Sequence, residues 1–148
     1  MNGAQHRARH SHSTMKYICF GYYDPTAFGS LPEATREAMM DNCFAYDEQL
    51  RVNGHYQGGE GLQPSNTAMT LRYSNGRVVV TDGPFTETKE QLGGIIILEA
   101  RDLNHAVELI SKHPGTKIGP WEVRPVADMS EIVRQSEARR RLQDKPRS

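Results

Sequence analysis

The densest group of ionisable side chains lies in the segment 82–89, which reads DGPFTETK. It carries the carboxyl groups of Asp82 and Glu87 and the amine of Lys89 around a Gly-Pro turn. Such groups, held over a cleft, can exchange protons with a bound compound, so the segment predicts an acid/base site. We assign catalytic roles to Glu87 and Asp82 and a ligand contact to Lys89. The structural alternative is ordinary turn chemistry, with Glu87 and Lys89 forming a surface pair worth less than about 1 kcal/mol.

Three further residues are candidates for the same site. His55 precedes a Gly-rich stretch and is the third predicted catalytic residue, because its imidazole could exchange a proton near neutral pH. The alternative is a surface or satisfied residue, which is the commoner role of a lone His. Phe85 would either line the pocket or plug the core. Tyr22 ends a predicted strand, where a phenol could position an aromatic ligand, and packing is the alternative role.

Two arginines on predicted strands, Arg72 and Arg124, could clamp a substrate carboxylate, although strand arginines usually lie on a solvated or dimer-rim surface. The sequence predicts no metal or other cofactor. The Gly-rich stretch 58–61 lacks the Gly-Lys-Ser/Thr of a phosphate loop, and His105 and His113 lack the spacing of a helical metal pair.

Composition predicts one small cytoplasmic domain. The 148 residues suit a single domain, and 18 basic residues balance 18 acidic ones, so neither nucleic acid nor an anionic membrane is an expected partner. The two cysteines are too few for a disulfide framework, and no apolar run could span a bilayer. The polar residues 1–14 are interpreted as a disordered leader or tag remnant, 15–128 as the domain, and 129–148 as a charged helix and tail.

The order of predicted elements favours an α+β fold. A first strand precedes a helix that Ser30 is expected to cap and whose apolar stripe must face a sheet. A β-hairpin follows, since Asn75-Gly76 suits a type I′ turn, and Asp102 is expected to cap a second long helix. The predicted strands are 16–23, 55–59, 67–73, 77–81, 91–100 and 119–126. The predicted helices are one that ends at Gly54, one that ends before Pro114 and one over 130–142.

This order is a split βαβ arrangement with both helices on one face of an antiparallel sheet. The other face is then bare, and the runs Val78–Val80 and Ile95–Leu98 put apolar side chains on both sides of their strands. A second copy packed sheet against sheet would cover them, so a two-fold symmetric homodimer is expected.

The motif DGPFTETKE, at residues 82–90, resembles the signature of the DGPF (DGPFAETKE) proteins, a branch of the YCII-related family. The likeness extends to GGEGLQPS, LEARDL, HPG and EVRPV elsewhere in the chain and covers residues 15–126. The resemblance implies a ferredoxin-like fold that pairs into a dimeric α/β barrel, with the hairpin as an addition.

The resemblance implies two alternative functions. The wider family includes a dehydrochlorinase of a chlorinated hydroxyquinol with a proposed catalytic His-Asp pair, which implies acid/base chemistry of a lyase or isomerase type on a small polar or aromatic compound. Its His position falls near Cys43 and its Asp position near His113, so this pair is expected to be missing. DGPF proteins are often encoded beside extracytoplasmic-function sigma factors, which implies instead a non-catalytic sensing or partner-binding dimer.

Overall fold

The computed structural model describes residues 14–146, so the predicted leader lies almost entirely outside the described residues. Six strands and four α-helices follow one another in a mixed α+β order. They are β1 (Met15–Tyr23), α1 (Pro25–Gly29), α2 (Glu33–Val52), β2 (Tyr56–Gly61), β3 (Met69–Ser74), β4 (Arg77–Asp82), β5 (Gln91–Ala100), α3 (Leu103–Ser111), β6 (Trp121–Pro125) and α4 (Ser130–Gln143). Short 3-10 turns occur at Ser65–Thr67 and Pro114–Lys117.

Four strands form one sheet in the order β2-β5-β1-β6, and each neighbouring pair is antiparallel. The helical connection from β1 to β2 therefore steps over β5, and the connection from β5 to β6 steps over β1. This is the split βαβ order that the sequence predicts. A bulge in β1 between Gly21 and Tyr22 shifts its register against β5 at one end of the sheet.

The crossover helices α2 and α3 pack on one face of this sheet. The buried core lies between them and alternate residues of the central strands, which is the arrangement that period-two burial produces. It consists of Tyr17, Cys19, Leu50, Ile96, Leu98, Ala100, Ala106 and Ile110. The predicted apolar stripe of α2 is confirmed, because Cys43 and Leu50 are its buried residues.

Local sequence patterns predicted one helix cap and one turn correctly and another helix cap wrongly. Asp102 caps α3 by accepting a hydrogen bond from the His105 N–H at 2.8 Å, and Asn75 and Gly76 both have positive φ, as a type I′ turn requires. The expected Ser30 cap is wrong. Asp24 caps the extra helix α1, and Ser30 ends that helix by donating its hydroxyl to the Ala27 carbonyl.

The hairpin β3–β4 forms a separate two-stranded sheet, and the single chain closes no barrel over the described residues. Every residue of β4 and most of β3 are exposed, as is nearly all of α4. Within residues 14–146, no helix combines the length and apolar character that crossing a bilayer demands.

Candidate functional site

A cleft of about 700 Å³ lies between α2 and one end of the four-stranded sheet. We call it the α2 cleft. Aromatic and apolar side chains from α1, α2, β1, β2 and β6 form much of its wall, and Asp47 and His113 lie in it. The aromatic members are Tyr22, Tyr23, Phe28, Phe44, Tyr56 and Trp121.

Asp47 and His113 are hydrogen-bonded to each other. His113 Nε2 lies 2.8 Å from Asp47 Oδ1, and the Gly115 N–H lies 2.9 Å from His113 Nδ1. Because a backbone N–H can only donate, Nδ1 is the acceptor nitrogen, and the ring hydrogen sits on Nε2. His113 therefore donates to the Asp47 carboxylate. Both nitrogens of its neutral ring are used within the protein.

Neighbouring rings fix the His113 imidazole. Only 3% of the residue is exposed. Trp121 lies against it at a centroid distance of 4.9 Å, and Tyr46 meets it edge-on at 5.4 Å. The Tyr46 hydroxyl is itself held, since it donates to the Leu109 carbonyl at 2.5 Å. Gly115 permits this packing, because a Cβ there would lie 2.9 Å from both His113 Nδ1 and Trp121 Cζ2.

Asp47 is the part of the pair that a ligand can reach. Its side chain is 21% exposed, against 3% for His113. Its Oδ2 accepts no hydrogen bond within residues 14–146, while Oδ1 is occupied by His113. A carboxylate oriented in this way can accept a hydrogen bond or a proton from a bound compound.

Cys43 lies one helical turn before Asp47 and also lines the cleft. Burial raises the pKa of its thiol, and the negative charge of Asp47 raises it further. The reactive form of cysteine is the thiolate, which this environment disfavours. Cys43 is therefore part of the wall of the cleft.

The predicted site at residues 82–90, which we call the DGPF loop, lines a different and smaller pocket. Asp82 and Glu87 both line it, together with Ser65, Asn66, Gly83, Pro84, Thr88 and Gln91. Lys89 points elsewhere: its Nζ lies 3.8 Å from Asp24, the residue that caps α1. The loop thus borders the helix that carries Phe28 into the α2 cleft, but its two carboxylates do not line that cleft.

The other predicted residues are scattered. Tyr22 does line the α2 cleft. His55 lies apart from it, with Nδ1 3.0 Å from the Glu99 carbonyl oxygen and its ring against His105. Phe85, on the hairpin side, is 72% exposed beneath the guanidinium of Arg72, and Arg124 pairs with Glu122 and lies over the Phe20 ring.

The structure contains a His-Asp pair, but not the one that the family resemblance implies. The two positions expected from the family do hold Cys43 and His113 rather than His and Asp. The structure nevertheless forms a pair, with the carboxylate on α2 at Asp47 and the imidazole after α3 at His113.

Spacing along the chain could not reveal this pair, because 66 residues separate its members. One signal was present in the sequence. Asp47 falls four residues after Cys43 and three before Leu50, so it lies on or beside the buried stripe of α2. A charged residue that becomes largely buried at such a position needs a polar partner.

Comparison with known proteins identifies a family and a related protein. A family model described as the YCII-related domain matches residues 15–130. The chain is also similar to an uncharacterised protein of Rhizobium meliloti, with 33% identity over 117 residues that cover 76% of this chain and 93% of that protein.

Proposed function

The chain belongs to the YCII-related domain family, and from that premise we propose that it binds a small aromatic or polar compound in the α2 cleft and acts on it by acid/base chemistry at Asp47. The observation that carries this proposal is the fixed hydrogen bond from His113 Nε2 to Asp47 Oδ1 inside an aromatic-walled cavity. A concave, mostly apolar pocket with a few convergent polar groups is the usual form of a small-molecule site.

In this proposal, Asp47 is the catalytic residue and His113 is a positioning residue. The imidazole has no free nitrogen, because Gly115 occupies Nδ1 and Asp47 occupies Nε2. The second carboxylate oxygen therefore takes the substrate proton, while His113 holds the first in place. General acid–base catalysis contributes about 10²–10⁴-fold in rate, and Asp47→Asn should remove that factor.

The DGPF loop has a secondary part in this proposal. Lys89 approaches Asp24, and Asp24 caps the short helix that brings Phe28 to the cleft. The loop would stabilise the rim of the cleft, and Glu87 and Asp82 would lie outside the chemical centre. This assignment differs from the one that the sequence favours.

We also propose that the protein is a homodimer of the ferredoxin-like, dimeric α/β-barrel type. On the sheet face opposite the helices, residues 14–146 leave Ile18, Phe20 and Ile97 only half-buried. On one face of the hairpin, five apolar side chains are each 51–77% exposed: Met69, Leu71, Tyr73, Val78 and Val80. A lone two-stranded hairpin is marginal in water, so these faces favour burial against a second copy. No observation favours the sigma-factor alternative.

A thermal-shift screen tests the proposed site. The wild-type protein, Asp47→Asn and the control Asp41→Asn are heated with phenols, quinols, lactones, amines and carboxylates. Asp41 is an exposed residue of the same helix outside the cleft, so its variant makes the same charge change. A compound should raise the melting temperature of the wild type and of Asp41→Asn but not of Asp47→Asn. A compound that stabilises all three equally would contradict the proposal.

A further inference from the structure

The α2 cleft carries an excess of negative charge. Among the described residues that line it, Asp47, Glu48 and Glu60 supply three carboxylates, and Arg51 supplies the one guanidinium. His113 is neutral by its hydrogen bonds, and Cys43 stays a thiol because burial and the charge of Asp47 raise its pKa. A cleft with one sign of charge and apolar walls concentrates ligands of the opposite sign.

Arg51, the one cation among the described residues of the wall, already has partners within the protein. The Arg51 guanidinium contacts the Glu48 carboxylate, and its central carbon lies 4.5 Å from the centre of the Tyr56 ring. The Glu48 carboxylate offsets the charge of Arg51, so this pair attracts an anionic ligand only weakly. Asp47, by contrast, forms no ion pair with a lysine or arginine among residues 14–146, and its hydrogen-bond partner is the neutral ring of His113.

The wall suits a cation for a second reason. Trp121 lines the cleft and lies directly against His113, so an aromatic face is close to the Asp47 carboxylate. Tyr22, Tyr23 and Phe44 add further rings. A cation within about 6 Å of such a ring is attracted by its negative face, and a carboxylate among aromatic rings suits an ammonium group.

From this charge distribution we infer that the α2 cleft selects a positively charged ligand, a protonated aromatic amine, whose N–H donates to Asp47 Oδ2 while its ring packs against the aromatic wall. The inference rests on the proposed function, because it concerns the ligand of the same site. It excludes carboxylates as preferred ligands, and it makes Asp47 the determinant of charge selection.

Three probes of equal ring size test the inference: benzylamine, benzyl alcohol and benzoate. Binding is measured at neutral pH by the fluorescence of Trp121, the single tryptophan of the chain. Benzylamine should bind about tenfold or more tightly than benzyl alcohol, the ratio that 1.4 kcal/mol produces, and benzoate should bind most weakly. In Asp47→Asn the affinities for benzylamine and benzyl alcohol should converge, whereas Asp41→Asn should keep the preference.

Contrary outcomes separate this inference from the proposed function. If benzyl alcohol or benzoate binds as tightly as benzylamine, but Asp47→Asn weakens that binding, charge selection is refuted and the site stands. If the preference for benzylamine persists in Asp47→Asn, both the inference and the role of Asp47 fail. If none of the probes changes the Trp121 fluorescence, the aromatic cleft as a ring-binding site is refuted.

Discussion

At the scale of single residues, the chemistry of the site depends on which of its two side chains, His113 or Asp47, can reach a ligand. A His-Asp pair commonly uses the carboxylate to orient the imidazole, which then moves the proton. Here the Gly115 N–H occupies the nitrogen that would otherwise face a substrate, and the exposed partner is Asp47. In the proposed site the imidazole therefore orients the carboxylate, and the carboxylate moves the proton.

Gly115 is expected to tolerate no side chain. Its added Cβ in Gly115→Ala would lie 2.9 Å from the His113 and Trp121 rings, so one ring must shift. We expect a loss of about 1–3 kcal/mol in the free energy of unfolding and loss of the His113–Asp47 hydrogen bond. Urea denaturation measures the first. Gly29→Ala is the control, because its Cβ meets nothing within 4 Å; equal stability of both variants would contradict the proposed packing.

Cys19 predicts a pH dependence of stability. Burial raises the pKa of its thiol from the ordinary 9.0 to about 12. Between these values the unfolded chain has lost the proton and the folded chain keeps it, so the free energy of unfolding should fall as the pH rises. The contribution is at most about 1.4 kcal/mol per pH unit. Denaturation across pH 9 to 11 should therefore show a shallower decline in Cys19→Ala; identical slopes would refute the buried thiol.

The limits of sequence reading are also visible at this scale. Asp102 and Asn75-Gly76 act on their own neighbours in the chain, so their residue types alone predicted a cap and a turn. Asp47 acts on a residue 66 positions away, and no local pattern encodes that contact. The functional assignment went instead to Asp82–Lys89, because several charged residues lie there close together in sequence. Charged residues that are close in sequence do not necessarily meet at one site in the fold.

At the scale of elements, the hairpin β3–β4 is separate from the four-stranded sheet, because the two share no strand. The sequence predicted it from the turn and missed α1, where Asp24-Pro25 suggests a turn and in fact begins a helix. Pro suits the first position of a helix as well as a turn, so the dipeptide alone does not decide between them.

A substitution in the turn should destabilise the hairpin and leave the four-stranded sheet unaffected. Gly76 has a φ of +81°, so Gly76→Val forces a β-branched residue into the left-handed region at a cost of about 1–3 kcal/mol. Amides of β3 and β4 should then exchange hydrogen faster, whereas those of β1 and β5 should keep their protection. Mass-spectrometric hydrogen exchange distinguishes the two sheets. Equal loss of protection in β1 and β5 would show that the hairpin is part of the main cooperative unit.

At the scale of the whole molecule, the uncovered sheet face should hold two copies together. Ile97 alternates with the buried Ile96 and Leu98, so it lies on the face away from the helices. Ile97→Asp would place a charge in the proposed interface, and sedimentation velocity should show the wild type as a dimer and the variant as a monomer. Val107→Asp, at an exposed position on α3, is the control and should remain dimeric. A monomeric wild type at micromolar concentration would refute the dimer.

The most direct test of the account is to locate a bound compound by NMR. The compound that most raises the melting temperature is titrated into ¹⁵N-labelled protein, and the Trp121 indole N–H is followed with the backbone amides of Asp47, Gly115 and residues 82–91. We predict shifts at Trp121, Asp47 and Gly115 that disappear in Asp47→Asn and persist in Glu87→Gln. Shifts confined to residues 82–91, lost in Glu87→Gln and retained in Asp47→Asn, would contradict the account and move the site to the DGPF loop.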